Sequence, residues 1–139
     1  MLRKSDDPIV TEIRSWPKAS GLSNKDVKTV SRLVRRSSVP AGWAFIQAET
    51  PGDAAYLILS GTAAVQVAGK KVAELSRGDV TGEIAVERGG LRTATVTATT
   101  PVTFLHIERD DFHTLKREAP AAHQLFVEYV EERIAALSA

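Results

Sequence analysis

The spacing of apolar residues changes twice along the chain, and each change marks a new kind of element. From Pro8 to Arg36 the spacing is helical. Val27, Val30, Leu33 and Val34 recur every three or four residues, behind a Ser23-Asn-Lys-Asp26 start in which Ser23 is a natural N-cap and Asp26 holds the capping-box position. Arg32, Arg35 and Arg36 close this second predicted helix, where cations complement the negative helix terminus. A Pro40-Ala-Gly42 turn ends the region. From Trp43 to Ile107 the texture becomes short β-branched and aromatic runs. Strands are predicted at Trp43 to Gln47, Ala55 to Leu59, Ala63 to Val67, Val72 to Leu75, Arg92 to Ala98 and Val102 to Ile107. Turn signals separate them at Pro51-Gly-Asp53, Ser60-Gly61, Gly69-Lys70, Arg77-Gly-Asp79 and Thr100-Pro101. Such spacing predicts an antiparallel sandwich or barrel. Helix then returns: Asp110-Asp111 caps one through Arg117, and Pro120 permits another from Ala121 to Leu137. On that last helix Val127, Val130, Ile134 and Leu137 form a seam, which Leu125, Phe126 and Tyr129 widen into a surface that must cover something.

Composition narrows the class. A chain of 139 residues with 43% apolar content is expected to form one domain, residues 1–139, with its own core. Its parts are a helical region over 8–36, a β region over 38–108 and C-terminal helices over 109–138. The absence of cysteine excludes disulfides and thiolate metal sites. No early run resembles a signal peptide, and no stretch approaches the roughly 18 apolar residues that span a bilayer, so a soluble, cytoplasmic protein with no membrane partner is expected. With 18 basic against 17 acidic residues the net charge is +1, and no global field favours nucleic acid.

The chemistry concentrates between Gly82 and Val96, in Gly-Glu-Ile-Ala-Val-Glu-Arg-Gly-Gly-Leu-Arg-Thr-Ala-Thr-Val. A turn opening at Gly82-Glu83 aims backbone N–H groups at an anion, as helix N-termini do. Arg92 brings a planar fork of donors suited to phosphate oxygens. Glu83 cannot bind the same anion and is suited to accept hydrogen bonds from sugar hydroxyls. A bare Glu and Arg at this spacing would also fit an ordinary turn closed by a surface ion pair, worth at most about 1 kcal/mol. Other chemistries find less support. His106, His113 and His123 form no ligand pair with an acid partner, so no metal or other cofactor is expected. The serines lack a nucleophile-elbow context, and a carboxylate beside a fixed arginine suits an acceptor better than a proton shuttle. No catalytic centre is read, and the protein is not expected to be an enzyme.

Taken together, Gly82, Glu83, Ile84, Ala85, Arg92, Thr93, Ala94, Thr95 and Val96 resemble the phosphate-binding cassette of cyclic nucleotide-binding domains. The Glu-to-Arg spacing is similar to that of kinase regulatory subunits and cation channels, rather than the longer loop of bacterial catabolite activators. The stretch from Pro51 through Tyr56 to Gly61, and Arg77-Gly-Asp79 before the cassette, extend the resemblance to about Leu22 to Leu137. Three positions depart from the family pattern: Thr81 stands where Phe is usual, Leu91 where Pro is common, and Glu49 where many members turn on glycine.

The resemblance implies a mainly β fold with flanking helices, an eight-stranded antiparallel β-roll of jelly-roll type with N-terminal helices and two C-terminal helices. It implies a ligand, a 3′,5′-cyclic nucleotide, with cAMP favoured and cGMP the alternative. Arg92 and the N–H groups around Ile84 and Ala85 would hold the phosphate, Glu83 the ribose 2′-hydroxyl, and Gly82 would permit close approach. Ala94 would add a backbone donor, and the Thr93 hydroxyl could meet a guanine amino group. Tyr129 and Arg133, on the last helix, are candidates to cap the base. That helix would serve as a lid whose changed surface reports to a protein partner, or as a short homodimer seam. The transcription factors of this family carry a helix-turn-helix after the nucleotide domain, and this chain is too short for one, so no DNA partner is expected. The rival reading is an interaction or dimerisation module that keeps the fold without binding nucleotide.

Overall fold

The computed structural model describes residues 8–48, 54–81 and 94–128 of the chain, apart from the side chains of residues 17 and 18. The chain divides into two compact units, residues 36–109 and a helical unit from residues 1–35 with 110–139.

In the helical unit, α1 (Pro8–Arg14) leads through a 3-10 turn (Pro17–Gly21) to α2 (Asn24–Leu33). Ser23 caps α2 as the sequence predicts: its Oγ accepts a hydrogen bond from the Asp26 N–H at 3.1 Å, satisfying one of the four orphan donors. Val27, Val30 and Leu33 are buried, while Lys25, Lys28 and Arg32 stay exposed. Helix α3 (Arg109–Glu118) carries Asp110 and Asp111 in its first turn and Lys116 and Arg117 in its last, matching the macrodipole at both ends. Residues 120–128 form α4, which starts at Pro120. Phe112 of α3 packs against His123 and Phe126 of α4 at ring-centroid distances of 5.0 and 5.3 Å. The Arg32 guanidinium donates to both carboxylate oxygens of Glu118 at 3.1 Å, tying α2 to α3.

The helix does not run to Arg36 as the spacing predicts. It stops at Leu33, the cap residue Val34 is already extended (ψ 143°), and Arg35 and Arg36 open strand β1 (Arg35–Val39). Ser37-Ser38-Val39 before Pro40 favours extended backbone, and a run of exposed arginines is tolerated on a strand at the end of a sheet. The basic cluster is therefore divided between a helix end and a sheet edge.

The other unit is an eight-stranded antiparallel β-roll. After β1 come β2 (Ala44–Ile46), β3 (Ala54–Ser60), β4 (Ala63–Val67), β5 (Lys70–Leu75), β6 (Val80–Thr81), β7 (Thr95–Ala98) and β8 (Val102–Glu108). They form two four-stranded sheets, A in the order β1-β8-β3-β6 and B in the order β2-β7-β4-β5. The core lies between the sheets: Ile58, Val102 and Phe104 from A meet Ala98, Phe45 and Leu75 from B, and Val96, Ala63 and Ile46 continue the layer. Hydrophobic side chains enter it by the period-2 alternation of strands. Ala68 and Gly69, both at positive φ (51° and 79°), make the two-residue turn between β4 and β5.

Candidate functional site

Gly82, Glu83, Ile84, Ala85, Arg92 and Thr93 lie outside the described residues, as do the base-cap candidates Tyr129 and Arg133. Ala94 is described, half-buried and one residue before β7. The structure thus defines the frame on which the cassette is strung. Ahead of the undescribed segment the chain runs in sheet A, to Thr81 of β6, and after it the chain enters sheet B at Thr95, the first residue of β7.

The outgoing end is held by a turn that the sequence marked only as Arg77-Gly-Asp79. The Asp79 side chain is buried and its Oδ2 accepts from the Ser76 N–H at 2.8 Å, while the Asp79 N–H donates to the Ser76 carbonyl at 3.0 Å. Gly78 N–H donates to the Ile58 carbonyl at 2.8 Å, and the Ile58 N–H donates to the Asp79 carbonyl at 2.9 Å. Arg77 donates to the carbonyl of Leu59 at 2.8 Å. Each bond ties the turn to itself or to β3, so the start of β6 is well fixed. Its register against β3 pairs Leu57 with Val80 and Tyr56 with Thr81.

At the returning end, Thr95 pairs with Gln66 of β4, and its Oγ1 accepts from the Ala48 N–H at 3.0 Å, just beyond β2. Val96 follows at 1% exposure in the core, paired with Val65 on one side and Ile46 on the other. Thr95 and Val96, which the motif supplied as its last two positions, are what seat the segment on sheet B.

Beneath the outgoing end lies an aromatic group that sequence reasoning missed. Phe45, Tyr56 and Phe104 meet in the roll, with Tyr56 edge-on to Phe104 at 5.0 Å and to Phe45 at 5.4 Å. His106, weighed only as a metal ligand, stacks on Tyr56 at 5.9 Å with the planes 24° apart. The signal was present: Phe104 and His106 stand two apart in one strand and so share a face. Among the described residues no group of three or more His, Asp or Glu side chains is placed to hold a metal. No helix among them is long and apolar enough to cross a membrane.

Two sheets joined through one Gly-Glu…Arg segment make an eight-stranded β-roll, and the comparisons with known proteins place that roll in a family. The sequence profile of the cyclic nucleotide-binding domain matches residues 36–118, and the chain belongs to that family. It is 35% identical over 104 residues to a cyclic nucleotide-gated potassium channel of Mesorhizobium japonicum, covering 75% of this chain and 29% of the channel. It is 33% identical over 105 residues to a cAMP-dependent protein kinase regulatory subunit of Yarrowia lipolytica, covering 74% of this chain and 28% of the subunit. The chain therefore spans less than a third of the length of either relative. The same fold occurs in a solved protein of Geobacter metallireducens, with a TM-score of 0.77, 18% identity, and coverage of 91% of this chain and 95% of that one. The cyclic nucleotide-binding domain is typically a regulatory, non-catalytic module.

Proposed function

We propose that this chain binds a 3′,5′-cyclic nucleotide, cAMP in preference to cGMP, and acts as a sensing module that alters its C-terminal helical surface for a protein partner. One observation carries the reading: a complete Gly82-Glu83…Arg92-Thr-Ala-Thr-Val96 cassette spans from β6 of one sheet to β7 of the other. Arg92 and the N–H groups around Ile84 and Ala85 bind the cyclic phosphate, Glu83 accepts from the ribose 2′-hydroxyl, Gly82 admits the close approach, and the Ala94 N–H adds a donor. Thr93 faces the base side, and Tyr129 or Arg133 caps the base. Ligand-driven change requires that the nucleotide bind the closed form more tightly than the open one. The last helix closes over the base in that form, or pairs with a second copy. A cytoplasmic setting fits both uses.

Calorimetric titration with cAMP and cGMP, after extraction of any co-purified nucleotide, tests the reading. One-to-one binding is expected with cAMP the tighter ligand. Arg92→Ala removes a bidentate, charge-assisted contact worth about 3 kcal/mol, so affinity should fall by about two orders of magnitude. Folded, nucleotide-free protein that gives no heat with either ligand would leave only an interaction module that keeps the fold.

A further inference from the structure

One polar and aromatic row crosses the whole of sheet A, from its β1 edge to the strand that leads into the cassette. Tyr56 of β3 is the direct partner of His106 of β8 on one side and of Thr81 of β6 on the other. Direct antiparallel partners share a face and bring their Cβ atoms to about 5 Å. Tyr56 meets Phe45 of sheet B, so that face looks toward the roll interior. Beyond His106, Ser37 of β1 places its Oγ 3.2 Å from the His106 Nε2. The row therefore reads Ser37, His106, Tyr56, Thr81.

Each member limits the next. The Ser37 contact fixes the rotation of the imidazole about its Cβ bond. The imidazole lies nearly parallel to the Tyr56 ring, 5.9 Å away, and also meets Phe104 edge-on at 5.7 Å. Tyr56 is then bounded by His106 on one side and by the edges of Phe104 and Phe45 on others. The side chain set opposite this bounded ring is the small Thr81, immediately before Gly82. Of β6, Val80 and Thr81 are the described residues, and Thr81 is the one that pairs with Tyr56.

We infer that His106, oriented by Ser37, is a positioning residue: it fixes the Tyr56 ring against which Thr81, the residue that precedes Gly82-Glu83 in the sequence, is set. The binding consequence rests on the proposed nucleotide site, whereas the placement of Thr81 does not, and the two are read separately.

The experiment compares His106→Leu, His106→Phe and Ser37→Ala in the full chain. In the nucleotide-free protein, the amide NMR signals of Thr81 and Gly82 should move in His106→Leu and, less far in the same direction, in Ser37→Ala. Those of Val67 to Lys70, at the far hairpin, should stay. His106→Phe keeps a ring over Tyr56 and should leave Thr81 and Gly82 near their native positions. For cAMP, His106→Leu should lose about threefold to tenfold in affinity, the scale of one ring pair, with His106→Phe within about twofold of native. Unmoved Thr81 and Gly82 signals in His106→Leu would overturn the inference, as would equal losses of affinity in the Leu and Phe variants. If the native chain binds no nucleotide but those signals move as described, the nucleotide reading fails while the positioning role stands.

Discussion

Replacing Gly61 with alanine probes a close backbone approach in the β-roll. Gly61 sits at φ +87°, a conformation that costs an L-residue about 1–2 kcal/mol. A Cβ there would also collide with the carbonyl oxygen of Pro101 and lie 3.0 Å from the Pro101 carbonyl carbon and the Val102 Cα. All of these are backbone atoms, so no rotamer change relieves the clash. Relief requires moving the start of β8, where Val102 is 1% exposed and packed with Ile58, Ala98 and Phe104. The same shift would strain the contacts of Thr62 with Thr99 and Thr100, at 2.7 Å between the Thr62 and Thr99 hydroxyls and 2.9 Å from the Thr62 N–H to the Thr100 Oγ1. Overpacking of this kind adds about 1–3 kcal/mol, for a total of about 2–5 kcal/mol. Gly42 and Gly69 supply the control, since they lie at φ +88° and +79° with nothing within 4 Å of an added Cβ. Alanine at either should cost only the backbone share, about 1–2 kcal/mol. Urea unfolding reads the difference. At a slope of about 2 kcal/mol per molar, a loss of 4 kcal/mol lowers the midpoint by about 2 M. If Gly61→Ala lowers it no more than the two control substitutions do, the close approach to Pro101 contributes nothing and the reasoning fails.

Two further substitutions test local features. Ala68 occupies a left-handed position (φ 51°) in the β4–β5 turn, where asparagine is at ease; Ala68→Asn should stabilise the protein by about 0.5–1 kcal/mol, read as a rise of about 2–4 °C in Tm, and a fall would contradict the turn assignment. Thr95→Val keeps the shape of the side chain but removes the acceptor for the Ala48 N–H, so it should cost about 1–2 kcal/mol and speed hydrogen exchange at Ala48; unchanged exchange there would show that the bond does not anchor β7.

Much of this architecture is legible in the residue pattern, for identifiable reasons. The cap at Ser23 and the Val27-Val30-Leu33 stripe are local signals, and local signals survive folding. Strand β4 falls where the alternation of Ala63 to Val67 places it, and β3, β5 and β8 extend only a residue or two beyond the predicted runs. Strand β7 starts at Thr95, whereas the β-branched run suggested a strand from Arg92, which lies outside the described residues. Strands β1 and β6 were missed because neither carries its own signature. β1 is Arg-Arg-Ser-Ser-Val, extended because β8 pairs with it, and Val80–Thr81 of β6 are held by the Ser76-to-Asp79 turn and by β3. The site divides the same way. The motif names the residues proposed to bind the ligand, while the row through His106 exists only in the pairing of strands far apart in sequence.

The two anchorages of the cassette also bear on how the sequence between them can change. Residues 82–93 join ends whose positions are set by different sheets, at Thr81 and at Thr95. The two ends of that segment are held by the roll itself, whatever the segment contains. Closure entropy grows only with the logarithm of length, about 0.6 kcal/mol for each doubling. A few residues added or removed between Glu83 and Arg92 would thus alter the fit to a ligand far more than the stability of the roll. The same scaffold can carry connecting segments of different length there without its core being redesigned.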